Sequence, residues 1–519
     1  MNKNLLILCL LLVTLGSKGQ VEQLARFEIV HKSDLNDYVV ISTRERGALI
    51  LELQHNNTDK TYPVLLHNLD TNLKEQWVNT IQLNRQFDIR GYHHDGATVY
   101  LLFQDSQYGR QIKIISVGLE NQEITEYDPK TIVELDLQEF EVIQNHVIIG
   151  GYIQDRPAVF AYDLKNNKVR TLSNVFQNNS ELLEIRINSD KLTFNVLSSR
   201  QNLRKDRTIS VNTYDYAGNP IRDYELVIDK DIQLLNGVSS SIKDKEQLVV
   251  GLYCFKAGTF PSGIFINHVD KHGVQTMKYH NFGKFKTFLN HEGEKRAQRM
   301  KEKAMKAEEQ DKDWRYKIDG LFSEMFENED TRTIAAEFFV PVHMRTSDYM
   351  RSRSGINPFS SDNYSNAPRS WLDSDFNRNL GTFEFEFDFT HAFALSIDLK
   401  GNIIWDNSME IDEEKEGYLS NMGAFEWDGQ DLFYSYYFEE KLFAKKLTGD
   451  SEKHSDISLM LKNELETLSF ERASYRGSLG WFDNKFLIHG LQTIKAQQLG
   501  GETRDVFFVN AISIIEESN

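Results

Sequence analysis

Short apolar runs recur along the chain, each closed by turn-forming residues. They read VYLLFQD (99–105), HVIIGGY (146–152), LTFNVLS (192–198), QLVVGLYCF (247–255), TIAAEFFVPV (333–342), DLFYSYYF (431–438) and KFLIHGL (485–491). Runs of this length, rich in Val, Ile, Phe and Tyr, predict strands covered on both faces. After such a run comes a hairpin whose second arm alternates apolar and polar residues, the pattern of a strand with one wet face. Before it lies another short segment, as FEVIQN (140–145) precedes HVIIGGY. Each unit therefore holds four strands.

The hairpins share a turn. They are LLHNLDTNLKEQW (65–77), VFAYDLKNNKVRTL (159–172), VNTYDYAGNPIRDYEL (211–226), INHVDKHGVQTMKY (266–279) and LSIDLKGNIIWDNSMEI (395–411). The turn acids are Asp70, Asp163, Asp215, Asp270 and Asp398. Weaker copies are IISVGLENQEITEY (114–127) and LFAKKLTGDSEKHSDISL (442–459). An Asp carboxylate bonds backbone N–H groups just after it, and Gly or Asn accepts positive φ, so these acids read as turn makers rather than catalysts.

Successive turns lie about 45 to 55 residues apart, a propeller-blade period. Eight units begin near residues 36, 88, 138, 183, 234, 320, 420 and 475. The last has three strands, and the spare strand VEQLARFEIV (21–30) is positioned to supply its fourth. The expected fold is all-β: one closed β-propeller of eight four-stranded blades. Seven is the count if one unit is misassigned, and two side-by-side sandwiches is an alternative that leaves the period unexplained. Closure is attractive because it removes exposed sheet edges.

The hairpins resemble those of β-propellers broadly, quinoprotein-like repeats especially, in which Asp, Gly and Trp follow one another. IDLKGNIIW (397–405) is the best match, and Asp70 to Trp77 repeats the offset of Asp398 to Trp405. The chain lacks a Trp–Asp signature at its blade ends and kelch-type paired glycines. The resemblance implies a fold and no activity.

Two stretches break the period between Asp270 and Asp398. The first, 284–319, contains HEGEKRAQRMKEKAMKAEEQDKD (291–313), with seven acidic and seven basic residues. Acid-first pairs Glu292–Arg296 and Glu302–Lys306 predict a helix. Ala297, Met300, Ala304, Ala307, Trp314, Ile318 and Leu321 make its apolar stripe, thin at first and heavier from Trp314. The C-terminal part should dock and the N-terminal part project. The second stretch, 345–381, is a Ser/Asn-rich loop between two strands of the sixth unit. Since strands in a blade alternate direction, both inserts should leave from one face, where loops on a rigid scaffold commonly bind. Arg296, Arg299, Arg351, Arg353 and Arg369 are the candidate binding residues.

The end of the loop reads DSDFNRNLGTFE (373–384). Asp373, Asp375, Asn377, Asn379 and Glu384 stand at calcium-loop positions, although Arg378 occupies the place of the turn glycine. Calcium is the one cofactor this spacing suggests; an acidic surface loop is the alternative. His93 and His94 in GYHHDG could reach a metal with Asp95, but adjacent residues on a strand point oppositely, and the stretch reads as a polar turn between two strands. The chain carries no nucleophile elbow, phosphate loop, zinc-protease helix or CxxC motif.

The N-terminus, MNKNLLILCLLLVTLGSKGQ, has a lysine, an apolar run over 5–15, and small residues before a cleavage point after Gly19. This predicts a signal peptide over 1–19 and an exported protein, in the periplasm or at the cell exterior. Its removal deletes Lys3 and Lys18, so the net charge moves from −18 to −20. Such a surface disfavours nucleic acid. No later stretch is apolar enough to span a bilayer. Cys254 would be the one cysteine left, read as buried. The function these features suggest is binding or scaffolding of an envelope or extracellular protein, or of a surface glycan, through the insert-bearing face. A structural subunit of an envelope complex is a variant of that reading. The alternative is a carbohydrate-active hydrolase with carboxylates at the central channel mouth.

Overall fold

A computed structural model describes residues 21–515, apart from 57, 106–108, 131–132, 202–205, 257–259, 311, 315, 343–385, 417–419, 450–452, 464 and 497–501. The described chain is strand-rich and forms eight antiparallel sheets, each built on the four-strand plan. It is an all-β protein of the β-propeller class, with eight blades and, among the described residues, one α-helix.

The residues group into two compact units. One, 32–70 with 75–422, carries blades 1 to 6 over 36–84, 87–127, 136–171, 180–225, 232–281 and 319–416. The other, 1–31 with 71–74 and 423–519, carries blade 7 over 423–458 and blade 8 over 466–514. In blade 8 the strand order is Val21–Val30, Thr503–Ile514, Lys485–Ala496, Glu466–Gly480. The first strand of the chain thus completes the last sheet, with Val21 opposite Ile514 and Val30 opposite Val506.

Position in the blade explains composition. Middle strands are sandwiched between neighbouring sheets and are apolar on both faces: Thr98–Asp105 and Gln247–Phe255 are buried almost throughout. Fourth strands alternate, as in Glu75–Asn84 and Pro220–Glu225, because one face meets water. First strands carry β-bulges in blades 2, 3, 4, 6 and 8, between Ile89 and Gly91, Leu137 and Glu139, Leu182 and Glu184, Phe322 and Glu324, and Leu468 and Phe470. Each adds twist and turns one side chain out of the pleat. In blade 5 the first strand is in two pieces, Ile232–Leu234 and Val238–Ser239. Cys254 is buried in the second strand of that blade.

The turn acids do what the repeat predicts. Asp398 accepts from Lys400 N (2.9 Å), Asn402 N (2.8 Å) and Asn402 Nδ2 (2.7 Å), while Gly401 sits at φ 71°. Asp215 does the same with Ala217 N and Asn219 N, beside Gly218 at φ 78°. Trp77 donates from Nε1 to Leu119 O of blade 2 (2.9 Å), tying adjacent hairpins.

Two local expectations change. His93 and His94 lie inside the strand Phe87–Asp95, with the turn at Gly96. His93 Nδ1 meets Glu141 of blade 3 at 2.8 Å, and His94 faces Gly96 O. The helix, Glu294–Glu309 (α1), ends before Trp314. Ile318 and Leu321 belong to the entry into the strand Asp319–Glu327, so the heavier stripe is not helical. Nor does the N-terminal half of α1 project: Ala297 is as buried as Ala304.

Candidate functional site

Helix α1 stands between the fourth strand of blade 5, Gln275–Asn281, and the first strand of blade 6, Asp319–Glu327. Why it can lie flat is set by small residues. Ala297 and Ala304 share a face of α1, two turns apart. Beneath Ala304 is Gly283, where an added Cβ would come within 2.6 Å of the Ala304 Cβ. Polar straps complete the seat: Asn281 Nδ2 and Lys284 Nζ reach Glu308 at 2.7 and 2.5 Å, and Lys301 Nζ reaches Lys286 O at 2.5 Å.

The stems of the insert are held by an aromatic cluster. Phe282 stacks on Phe288 with centroids 4.2 Å apart, and Phe288 meets Phe338 and Phe393 edge-on at 4.7 and 5.1 Å. Phe285 packs against Phe393 at 5.4 Å. Asp406 of the fourth strand of blade 6 accepts from Lys286 N, Thr287 N and Thr287 Oγ1 at 2.8, 2.7 and 2.8 Å. Two backbone donors of this bend, Lys286 N and Thr287 N, are thereby satisfied. At the heart lie two parallel imidazoles, His291 from the stem and His391 from the third strand, 4.3 Å apart and inclined by 14°.

The outward face of α1 carries a basic arc. At about 100° per residue, Lys295, Arg299, Lys303 and Lys306 fall within about 80° of one another, with Glu302, Glu309 and Glu294 bordering that arc on one flank. Arg296 pairs with Glu292 at 2.8 Å. Lys295, Arg299, Lys303 and Lys306 have no acidic partner among the described residues. Of the five arginines named from the sequence, Arg296 and Arg299 are exposed on this helix. Arg351, Arg353 and Arg369 lie outside the described residues, as do Asp373, Asp375, Asn377, Asn379 and Glu384. The strand ends that flank 343–385 are described. Val342 is opposite Glu386, three residues beyond Phe339, which faces Asp319. The helical insert and the 343–385 connection therefore leave blade 6 from the same edge.

A second polar cluster joins blades 4, 5 and 6, where the first strand of blade 5 is broken. The buried Glu184 carboxylate accepts from Ser239 N (2.9 Å) and Oγ (2.8 Å), and burial pushes its carboxyl up to about 7. Arg186 reaches past blade 5 to Met325 O and Glu327 (2.8 and 2.9 Å), and Glu327 also accepts from Ser241 N (2.6 Å). In the smaller unit Glu471 takes the Tyr437 hydroxyl at 2.8 Å, and burial raises its carboxyl to about 7 too. Carboxyls tuned this way suit proton transfer. Glu184, however, is enclosed by the strands it ties together, which makes it a fastener between blades. Among the described residues no group of three or more His, Cys, Asp or Glu side chains is arranged to hold a metal.

The class these sheets define is the eight-bladed β-propeller. No family model matches the chain, and no curated protein matches it. Solved structures similar to it include the β-propeller domain of the Trilobed protease from Pyrococcus furiosus. That likeness has 8% identity over 80% of this chain and 97% of that one, with a TM-score of 0.36. The dihydro-heme d1 dehydrogenase NirN in complex with DHE matches at 10% identity over 97% of this chain and 78% of its own, with a TM-score of 0.38. An oligogalacturonate lyase in complex with manganese matches at 10% over 83% and 96%, with a TM-score of 0.34.

Sequence reasoning missed the His291–His391 pair, because its members are one hundred positions apart and each sits in an unremarkable context. It also missed Glu184, whose one signal is a bulge visible in the pairing register.

Proposed function

We propose that this protein is an exported binding or scaffolding module that takes a protein or glycan of the cell envelope or exterior on the insert-bearing edge of blade 6. The observation that carries the reading is the seating of α1. A helix clamped to a rigid scaffold by two stems, yet turning Lys295, Arg299, Lys303 and Lys306 outward without acidic partners, is a pre-organised cationic ridge on an acidic chain. Rigid presentation lowers the ordering cost of binding, and such a ridge steers anionic groups toward it.

The test compares the full chain with Lys295→Glu/Arg299→Glu/Lys303→Glu in co-purification from the envelope fraction of its own cell. A glycan array is run in parallel. The reading expects specific capture by the native protein, lost by about tenfold or more in the variant and sensitive to salt. Capture that the variant and a deletion of 290–313 leave unchanged overturns it. Glu184, whose carboxyl is raised to about 7, is enclosed by the strands around it and does not by itself favour a hydrolase.

A further inference from the structure

The incoming stem of the helical insert packs on His391, and the returning stem reaches it through His291. The His391 ring lies between His291 (4.3 Å) and Phe338 (5.2 Å, 9°), with Phe288 edge-on at 4.7 Å. The Thr390 hydroxyl donates to Phe338 O (3.1 Å), so its oxygen accepts from His391 Nδ1–H at 2.9 Å. That assigns the neutral tautomer and leaves Nε2 bare, and Nε2 is buried with no hydrogen-bond partner among the described residues. A proton added there would create an N–H, and a full charge, among aromatic rings with no acceptor.

His291 is differently placed. Its Nδ1 donates to Phe288 O (3.0 Å), its Nε2 meets the Tyr316 oxygen (2.8 Å), and the Tyr316 hydroxyl meets Glu292 Oε1 (2.8 Å). These three contacts hold two protons when His291 is neutral and Glu292 ionised. A third proton, on Nε2, makes every contact a hydrogen bond. The stack therefore has a place for one proton, at His291, and none for a second, at His391. Charged or titratable groups facing the pair are few. Glu292 comes from the stem, Arg296 from α1, Tyr316 from the returning stem, and Glu410 stands opposite His391 in register on the fourth strand. The strand that supplies Phe338 brings apolar rings to the stack.

We propose that the His291–His391 stack is an acid-opened latch on the helical insert: it holds the stem that carries α1 against blade 6 while His391 is neutral and releases it when a second proton enters. Burial, then the charge of His291, holds His391 well below the ordinary imidazole range, and burial lowers His291 against the pull of Glu292. Groups lowered in the folded state contribute stability above their unfolded pKa and lose it as pH falls through the folded value. Acid is thus the opening direction. The latch would regulate the cationic ridge, and in that purpose it rests on the binding reading; its mechanism does not.

The experiment is amide hydrogen exchange by mass spectrometry on the full chain from pH 7.5 to pH 4, corrected for the intrinsic pH dependence. Peptides from 285–316 should lose protection by about tenfold per pH unit once opening takes up one proton. Peptides from 36–127 should stay protected. His391→Phe, whose ring cannot charge, should lose markedly less protection over 285–316 than the native protein; a second variant, His291→Phe, should shift the loss to lower pH. Protection of 36–127 at pH 7.5 verifies that each variant folds. Unchanged protection in the native protein, or equal loss in native and His391→Phe proteins, overturns the latch. Neither result bears on whether envelope material is captured at pH 7.5, so the two readings fail separately.

Discussion

At the scale of single residues, the turn acid is the most local device in the chain. Burial is the largest single influence on Asp398 and opposes its ionised form, but the Asn402 backbone and side-chain donors and Lys400 N together outweigh it and hold the carboxyl below its ordinary value. The Asn166 side chain and backbone do this for Asp163. Asp398→Ala removes an acceptor shared by three donors and should cost roughly 0.5–1.5 kcal/mol in chemical denaturation. Asp398→Asn keeps an acceptor oxygen and should cost less. Because the folded pKa is depressed, this contribution is present above the unfolded pKa and fades as pH falls through the folded one, so the Asp398→Ala deficit should shrink below about pH 4. Such residues were legible in sequence because donor and acceptor lie within four positions. The His291–His391 stack and the Arg186–Glu327 tie were not, because nothing in either local sequence encodes a partner that far away.

At the scale of elements, the misjudged end of α1 has a physical cause. Trp314, Ile318 and Leu321 happen to continue a helical spacing, but they are apolar because the stem and the strand bury them, and a burial stripe cannot distinguish those origins. Gly283 tests the seat of the helix. Gly283→Ala puts a Cβ against Ala304, and overpacking of this kind costs about 1–3 kcal/mol. Exchange protection of 294–309 should fall accordingly, and Ala304→Gly in the same chain should recover part of it; additive losses would mean that the two sites do not touch. Glu184 tests the junction of blades 4 to 6. Its folded carboxyl is raised to about 7, above the unfolded value, so its contribution is present in acid and lost as pH rises through about 7. Across that window the native protein should lose on the order of 3 kcal/mol relative to Glu184→Gln, read from denaturation midpoints at pH 4.5 and 7.5. A flat difference between the two proteins would mean that Glu184 stays ionised in the fold.

At the scale of the whole molecule, the blade count and the use of the first strand were legible because both follow from a period repeated along hundreds of residues. The larger deviation from regularity, the edge of blade 6 with its two long connections, shows in the sequence as a gap in that period. Its geometry does not show, because stacked rings and glycine contacts carry no period. The strand Val21–Val30 gives the sharpest test of how the blades are held. It covers the edge of Thr503–Ile514, and its Arg26 reaches Gln492 at 2.9 Å and lies over Phe508 with the guanidinium carbon 4.6 Å from the ring centroid. Glu28 pairs with both Arg26 (2.7 Å) and Arg504 (2.9 Å). A chain begun at residue 32 lacks all of this and bares an apolar twelve-residue strand. Exposed edges of that kind recruit other chains. The shortened chain should melt at least ~5 °C lower and sediment as aggregates at concentrations where the intact chain stays dispersed. Adding the peptide 21–31 in excess should restore part of both, since a strand that binds the folded state stabilises it by mass action. If the shortened chain melts and sediments like the intact one, blade 8 is held by its three remaining strands, and pairing of the two chain ends contributes nothing to stability.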